Sequence, residues 1–268
     1  MGKFSNVLIV TDLDGTLLNS KKEVDPASRE AIQYFIREGG YFTFATGRLY
    51  QSFTGIAKKM VYNAPIIFAN GAQIISMGSV DVMYQQPLED DILPVCEEVL
   101  ERFPGAAMEI YAHRRCDIIH YNAITCKHMQ DFTIEHTFYK TIRESAQPWL
   151  KVLFTERHEV LEEIAEFLRS RYDKATVCFS SPVFLEVFNK EVDKGRGIQQ
   201  LAKILGVPDE NIYASGDQEN DLPMSNATKL FFAPENAVPA VKEKADVILP
   251  DNDHDMMAAL INHLDSIY

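Results

Sequence analysis

Cysteine is scarce in this chain, with four among 268 residues. The four are Cys96, Cys116, Cys126 and Cys178. No CxxC pair occurs among them, so we expect reduced thiols rather than a disulfide framework. Cys116, His120, Cys126 and His128 crowd one stretch, but their spacing fits no common zinc finger or ribbon. The favoured interpretation is that these four residues are ordinary core or surface residues, and a structural zinc site is the open alternative.

Basic residues and long apolar runs are also few. Lys and Arg number 26 against 39 Asp and Glu, for a formal net charge of −13, which disfavours nucleic acid and anionic membranes as partners. The longest apolar runs, such as residues 65–69, are too short to span a bilayer. Residues 1–12 carry no signal-peptide cleavage site, and Asn6 replaces the Ser/Thr of a myristoylation signal. We expect a cytoplasmic protein with no membrane partner and no obligate protein partner.

The N-terminal part alternates strands and helices. The segment 6–10 (NVLIV) is continuously apolar after Asn6, which is typical of a strand buried on both faces. A helix is predicted at 26–39, a strand at 41–45, a helix at 49–60 and a strand at 65–69. This order predicts a parallel sheet with right-handed crossovers.

The pattern changes near residue 80, where strand pairs follow one another without intervening helices. This indicates an α+β layer with an antiparallel sheet, and the first pattern returns after Lys194. The further helices are predicted at 88–103, 157–171, 194–205, 220–226 and 236–244. The sequence therefore predicts an α/β fold: a doubly wound parallel-sheet core (1–82 and 188–268) with an inserted α+β cap (83–187).

Two aspartates, Asp12 and Asp14, directly follow the first buried strand in the motif Asp12-Leu13-Asp14-Gly15-Thr16. A solvated turn is the simplest explanation of an isolated DxD. Behind a buried strand, alternation points both carboxylates into one pocket, where their repulsion requires a cation or a proton. That pairing suits a nucleophile beside a general acid/base.

Three more polar motifs follow or precede core elements. Thr46-Gly47-Arg48 follows the second strand and Lys194-Gly195 opens a helix, and each taken alone is explained by a turn, a cap or a solvated lysine. The segment 216–221 (GDQEND) follows the strand at 211–215. Its acids and amides at a strand end favour a site for a hard cation such as Mg²⁺.

Together and in this order, the four motifs resemble those of the haloacid dehalogenase superfamily of phosphotransferases. The resemblance covers nearly the whole chain. The cap between the second and third motifs, Asn70-Gly71 and Asn236-Ala237 are similar to features of the Cof-type subfamily. The resemblance implies a phosphatase that uses Mg²⁺ and acts on small phosphorylated metabolites, sugar phosphates first.

The resemblance also implies roles for individual residues. Asp12 is then the nucleophile and Asp14 the acid and base, while Thr46 bonds the phosphoryl oxygens and Lys194 holds both nucleophile and phosphate. The implied metal ligands are Asp12, the backbone carbonyl of Asp14, Asp217 and, indirectly, Asp221. The implied substrate contacts are Arg48, Asn70, Gly71 and Asn220, the last also supporting its loop.

In two loops the sequence departs from the Cof-type pattern. Pro234-Glu235 stands where Met-Gly is usual, and the segment 253–256 replaces a glycine-containing one. In the cap, His113, Arg114 and Arg115 form a small basic cluster between two strand-like runs. A solvated hairpin turn is the favoured interpretation of this cluster, and contact with an anionic substrate is the alternative.

Two other functions remain open. A phosphosugar mutase uses the same aspartyl-phosphate chemistry but returns the phosphoryl group to another hydroxyl. A catalytically silent binding or regulatory protein on this fold belongs to a different class. The presence of Asp12, Asp14 and Lys194 counts against the silent protein, and the mutase would need a cap that excludes water while the intermediate turns round.

Overall fold

The computed structural model describes residues 2–79, 81–131 and 134–268. The chain divides into two compact units. The parallel-sheet unit contains the residues up to Arg48, Ile56–Tyr84 and Asp193–Tyr268. The inserted unit contains Leu49–Gly55 and Gln85–Val192.

The parallel-sheet unit contains eight strands and five of the helices among the described residues, counting α2, whose residues are divided between the two units. Its strands are β1 (Leu8–Thr11), β2 (Tyr41–Phe44), β3 (Ile66–Phe68), β4 (Gln73–Ile75), β5 (Val82–Gln85), β12 (Ile212–Ser215), β13 (Leu230–Pro234) and β14 (Val247–Leu249). Its helices are α1 (Pro26–Arg37), α2 (Tyr50–Ala57), α6 (Lys194–Leu205), α7 (Pro239–Lys244) and α8 (Met256–Asp265).

The main sheet has the order β14-β13-β12-β1-β2, and all its pairings are parallel. Strand β1 is an interior strand between β12 and β2, and all four of its residues are buried, as the apolar run predicts. A parallel bridge from Ala45 to Ile67 links the end of β2 to β3, which continues into the small sheet β3-β4-β5. The doubly wound parallel core is therefore confirmed.

Two helix starts in this unit follow from capping. Asp25 accepts a hydrogen bond from the Ser28 N–H (2.7 Å), and Pro26 occupies the first helical position of α1. Asp193 likewise accepts a hydrogen bond from the Arg196 N–H (2.7 Å). It is the N-cap of α6, so the helix begins at the next residue, Lys194. The cap of α6 thereby fixes where the Lys194 side chain begins.

The inserted unit is built on a six-stranded sheet. Its strands are β6 (Ala107–Ala112), β7 (Arg115–Ile119), β8 (Thr137–Tyr139), β9 (Lys151–Thr155), β10 (Ala175–Ser181) and β11 (Phe184–Asn189). Its helices are α3 (Ile92–Arg102), α4 (Ala123–Asp131) and α5 (His158–Arg171). The order is β10-β11-β9-β6-β7-β8, antiparallel except between β7 and β8.

One face of this sheet forms an apolar core with α3 and α5 that includes Ile110, Phe154 and the single tryptophan, Trp149. The other face buries polar residues. Glu109 is fully buried, accepts a hydrogen bond from the Tyr111 hydroxyl (2.5 Å) and lies 3.0 Å from His128 Nδ1 on α4. The α+β character predicted for the insertion is what the structure has.

The structure differs from the sequence predictions at several elements. Helix α4 and strand β8 lie in a stretch that the sequence leaves irregular, and α8 is not predicted at all. Residues 219–226 form a 3-10 helix that includes Pro223, and the predicted helix at 236–244 begins only at Pro239. Among the described residues, no helix is long and apolar enough to cross a membrane.

Candidate active site

The site is built where β1, β2 and β12 end together. The parallel register pairs Thr11 with both Ser215 and Phe44, so the three strands finish level. The Asp12 N–H donates to the Ser215 carbonyl at 2.8 Å, which fixes the residue directly after β1. Ligands of open α/β sheets bind outside the carboxyl ends of the strands. The sheet thus brings together side chains that are about 200 residues apart in sequence.

Asp12 and Lys194 form a buried ion pair. Lys194 is 1% exposed, and its Nζ lies 2.6 Å from Asp12 Oδ1 and 2.6 Å from Asp221 Oδ1. Burial alone would lower the Lys194 pKa, but the two carboxylates outweigh it and raise that pKa. A buried ammonium with two anionic acceptors stays charged, so Lys194 presents a fixed positive charge to Asp12.

Three buried carboxylates converge at this point. Oxygens of Asp12, Asp217 and Asp221 lie within 4.8 Å of one another, and among the described residues this is the one such group of three or more possible metal ligands. Burial is the largest cause that raises the Asp12 pKa, to about 7; Lys194 opposes it, and Asp221 and Asp217 add to it. Burial and the charge of Asp221 also raise the Asp217 pKa. The cysteines and histidines considered above for zinc do not form such a group within the described segments.

The loop after β12 organises two of these acids. Asp221 Oδ2 accepts from the N–H groups of Asp217 (2.9 Å) and Gln218 (3.0 Å), while its other oxygen bonds Lys194. Asp217 Oδ1 accepts from the Thr16 hydroxyl at 2.7 Å. Both carboxylate oxygens of Asp221 therefore accept hydrogen bonds from the protein itself. Asp12 and Asp217 keep more of their oxygen lone pairs for a ligand. Three carboxylates with one lysine leave excess negative charge and oxygen donors, which fit a hard divalent cation such as Mg²⁺.

Asp14 lies in a different environment from Asp12. Its carboxylate accepts from Arg48 Nε (2.7 Å) and Nη2 (2.8 Å), and Lys22 Nζ lies 3.1 Å away. Burial would raise the Asp14 pKa, but the bonds from Arg48 and Lys22 outweigh it and hold that pKa below its usual value. The two aspartates of one motif therefore have pKa values moved in opposite directions, which is typical of paired catalytic carboxylates.

The remaining predicted residues of this unit form a connected rim. Thr46 Oγ1 accepts from the Arg48 N–H at 3.1 Å, and the Thr46 carbonyl accepts from the Asn70 N–H at 3.0 Å. Asn70 has a left-handed backbone (φ 56°), and its Oδ1 accepts from Asn220 Nδ2 at 3.1 Å. These side chains connect the loops that follow β2, β3 and β12.

Gly71 is a close-approach position. Its φ is +107°, and a Cβ at this residue would lie 2.1 Å from the carbonyl oxygen of Asp193, the N-cap of α6. Glycine here therefore permits the Asn70 loop to pack against the start of the helix that carries Lys194.

Arg114 lies in the β6–β7 turn of the inserted unit and Arg115 begins β7, and the two have different surroundings. Arg115 Nε donates to Asp117 Oδ2 at 2.8 Å, and its guanidinium also bonds the Ala146 carbonyl; the Asp117 side chain is fully buried. Arg114, at φ 57°, has its guanidinium carbon 5.7 Å from the centroid of the Tyr50 ring. Arg115 thus neutralises a buried acid, and Arg114 stacks on an aromatic ring.

Several contributors are absent from the sequence prediction. Thr16 belongs to the quoted motif but received no role, although it bonds Asp217. Lys22 contacts Asp14 from eight residues downstream, and Gln218 Nε2 donates to Asp217 Oδ2 at 3.1 Å. No local pattern marks Lys22, because its contact depends on how the chain returns after the turn.

The chain is similar to known proteins over nearly its whole length. A family model described as haloacid dehalogenase-like hydrolase matches residues 9–261. The 5-amino-6-(5-phospho-D-ribitylamino)uracil phosphatase YcsE of Bacillus subtilis is 27% identical over 96% of this chain and 94% of its own.

Solved structures agree with this match. A haloacid dehalogenase-like hydrolase from Bacteroides thetaiotaomicron is 28% identical with a TM-score of 0.85, covering 96% of this chain and 99% of its own. A subclass IIB sugar phosphatase shares the fold at a TM-score of 0.80 with 19% identity, covering 97% and 99%.

Proposed function

We propose a function for this chain, which belongs to the haloacid dehalogenase-like hydrolase family. It hydrolyses small phosphate monoesters with Mg²⁺ through an aspartyl-phosphate on Asp12. The family is one of hydrolases, and relatives of this chain are named as phosphatases. The observation that carries the mechanism is the buried contact of Lys194 with both Asp12 and Asp221, beside the convergence of Asp12 with Asp217.

Asp12, Asp217, the backbone carbonyl of Asp14 and, through its position, Asp221 would hold the cation. When bound, Mg²⁺ supplies positive charge that offsets these carboxylates and the phosphoryl oxygens. Lys194 supplies a second, permanent positive charge at Asp12. With both charges present, the Asp12 carboxylate is held ionised, which a nucleophile requires.

The first step transfers the phosphoryl group to Asp12. An Asp12 oxygen forms a bond to phosphorus, the bond between phosphorus and the ester oxygen breaks, and that oxygen takes a proton from Asp14. Arg48 holds Asp14 ionised in the arrangement described above. We therefore propose that the substrate's phosphate attracts Arg48 away from Asp14, which lets the Asp14 pKa rise and a proton bind.

The second step regenerates the enzyme. Asp14, now ionised, accepts a proton from water, whose oxygen bonds phosphorus while the bond from phosphorus to Asp12 breaks. Orthophosphate leaves and Asp12 returns to its carboxylate. Thr46, Asn70 and Asn220 line the rim and are proposed to orient the phosphate and the first atoms of the leaving group, because positioning governs phosphoryl transfer.

Selectivity for the leaving group is proposed to reside in the inserted unit, about residues 83–187, with Arg114 as one contact. The phosphate and the reacting oxygens are common to all esters, so Asp12, Asp14 and Lys194 cannot distinguish them. Sugar phosphates are the proposed substrates. The phosphorylated ribityl chain in the name of the Bacillus subtilis relative supports an alcohol leaving group of this size.

The test is a panel of phosphate esters with Mg²⁺ in which free phosphate and isomerised ester are measured separately. We expect phosphate release from several sugar phosphates and little isomerisation. Isomerised ester as the main product would establish the mutase instead. Binding without turnover of any ester would establish a silent protein.

A further inference from the structure

Asn236, which follows β13, bonds the loop after the nucleophile. Its Nδ2 donates to the Gly15 carbonyl at 2.8 Å, and its Oδ1 accepts from the Asn252 N–H at 3.0 Å. Gly15 is the residue after Asp14. One exposed side chain thus joins the active-site loop of β1 to the segment before α8.

The segment that begins at Asn236 also bonds the loop after β12. The Val238 N–H donates to the Asp217 carbonyl at 3.0 Å, two residues beyond Asn236. The two loops themselves meet closely, since a Cβ on Gly15 (φ +95°) would lie 2.5 Å from Asp217 Oδ2. A small displacement of either loop would therefore change the separation between Asp14 and Asp217.

Two further bonds secure the loop from the C-terminal side. Asn252 Nδ2 donates to the Leu18 carbonyl at 2.8 Å, and Asp253 Oδ1 accepts from the Ser20 N–H at 2.8 Å. These residues lie in and beside the segment where the sequence departs from the Cof-type pattern. Polar side chains of this segment make the contacts that fasten residues 15–20.

We propose that Asn236 and Asn252 are positioning residues that set the distance between the Asp14-Gly15 backbone and the Asp217 loop. This inference rests on the proposed function, because it assigns them to the place of the acid/base and of the Asp14 carbonyl. Neither residue touches the reacting atoms. Their effect passes through the main chain of Gly15 and Leu18.

Asn236→Asp is the decisive variant, because Asp is nearly isosteric and keeps the acceptor for the Asn252 N–H. It replaces the donor to the Gly15 carbonyl by an oxygen. Asn262→Asp, at an exposed position on α8, makes the same chemical change as a control. We expect Asn236→Asp to lower kcat about five- to tenfold on sugar phosphates and less on p-nitrophenyl phosphate. A decrease of this size corresponds to the loss of one or two hydrogen bonds.

Two measurements do not require turnover. Calorimetric Mg²⁺ binding should weaken about fivefold in Asn236→Asp, and amide hydrogen exchange should accelerate in the peptide spanning 13–20. Asn252→Ala, which removes the donor to Leu18, should accelerate exchange in the same peptide. If Asn236→Asp matches Asn262→Asp in exchange, Mg²⁺ binding and leaving-group dependence, the proposal is overturned. If the wild-type protein hydrolyses no ester, the proposed function fails, and the exchange comparison alone decides this inference.

Discussion

The two sheets of this protein bury polar residues for different purposes. In the parallel-sheet unit, Asp12, Lys194, Asp217 and Asp221 gather beyond the strand ends, with three like charges close together. In the inserted unit, Glu109 is buried within the sheet and satisfied by Tyr111 and His128. Strand ends leave side chains free to face a ligand, whereas a position inside a ladder surrounds a side chain with neighbours on each side.

The difference shows how a ligand-binding site can be distinguished from a buried polar network that only stabilises the fold. In the first unit the charges do not cancel, so the pKa values of Asp12 and Asp217 rise and the group favours a cation. In the second, Arg115 offsets Asp117 with a close ion pair. Substitution of Asp12 should therefore reduce activity at nearly constant stability, and substitution of Arg115 should reduce stability at nearly constant activity.

The largest effect is expected for Asp12→Asn. The amide is nearly isosteric but a far poorer nucleophile, so kcat/KM should fall at least about 10³-fold, or about 4 kcal/mol of barrier. The melting temperature should change little, because the variant also removes repulsion from Asp217 and Asp221. Asp209→Asn, at an exposed position of the same unit, is the matched control. Substantial turnover by Asp12→Asn, or full wild-type activity in excess EDTA, would contradict the mechanism.

Asp14→Asn should separate substrates by their leaving groups. Loss of a general acid costs about 10²- to 10⁴-fold when the leaving oxygen needs a proton, as in sugar phosphates. The loss on p-nitrophenyl phosphate should be much smaller, because nitrophenolate leaves without protonation. The comparison requires kcat/KM for both substrates in the variant and in Asp209→Asn. Equal losses on the two substrates would remove the acid/base role from Asp14.

Arg115→Ala should act on stability. The variant leaves the buried carboxylate of Asp117 without its cation, which we expect to cost about 2 kcal/mol. Trp149 is the single tryptophan and is fully buried in the inserted unit, so its fluorescence follows unfolding of that unit in urea. Arg157→Ala, with a 77% exposed side chain, is the control.

For Arg115→Ala, kcat on p-nitrophenyl phosphate should stay within about twofold, because the side-chain bonds of Arg115 go to Asp117 and Ala146 of its own unit. A variant that is as stable as Arg157→Ala but loses activity would show that Arg115 contacts substrate after all.

The smallest effect is expected for Arg114→Ala, which tests whether the inserted unit sets selectivity. A stacked or ion-paired arginine contributes about 1 kcal/mol, so kcat/KM for the preferred sugar phosphate should fall about fivefold. The value for p-nitrophenyl phosphate should hardly change. Arg143→Ala removes an exposed arginine of the same unit and serves as the control. Uniform scaling of all esters by Arg114→Ala would place selectivity elsewhere.

The sequence by itself determines the parallel core and the order of its motifs. The segment 6–10 predicts β1 because a short run of apolar, β-branched residues is typical of a strand buried on both faces. Helix α6 is predicted at its observed bounds, since Asp193 and Gly206 are strong local start and stop signals. Asp12, Asp14, Lys194 and Asp217 are singled out because each directly follows or opens such an element.

Other elements are invisible locally. The side chain of Asp255, the N-cap residue of α8, makes no capping bond; Ser28 Oγ on α1 accepts from the Ala258 N–H at 3.3 Å instead, and α8 packs beside α1. Helix α4 has a weak amphipathic pattern and is stabilised by Asn122, whose Oδ1 accepts from the Ile124 and Thr125 N–H groups. Tertiary context overrides weak propensity in both cases.

Only the tertiary structure decides how the acids divide their work. The sequence places Asp12 and Asp14 in one motif, but Arg48 and Lys22 reach Asp14 alone, and Lys194 reaches Asp12 across 182 residues. Asp221 is satisfied by Lys194 and by its own loop. A pKa depends on charges within a few ångströms in space, and sequence spacing does not carry that distance. The parallel sheet supplies it by ending β1 and β12 at the same level.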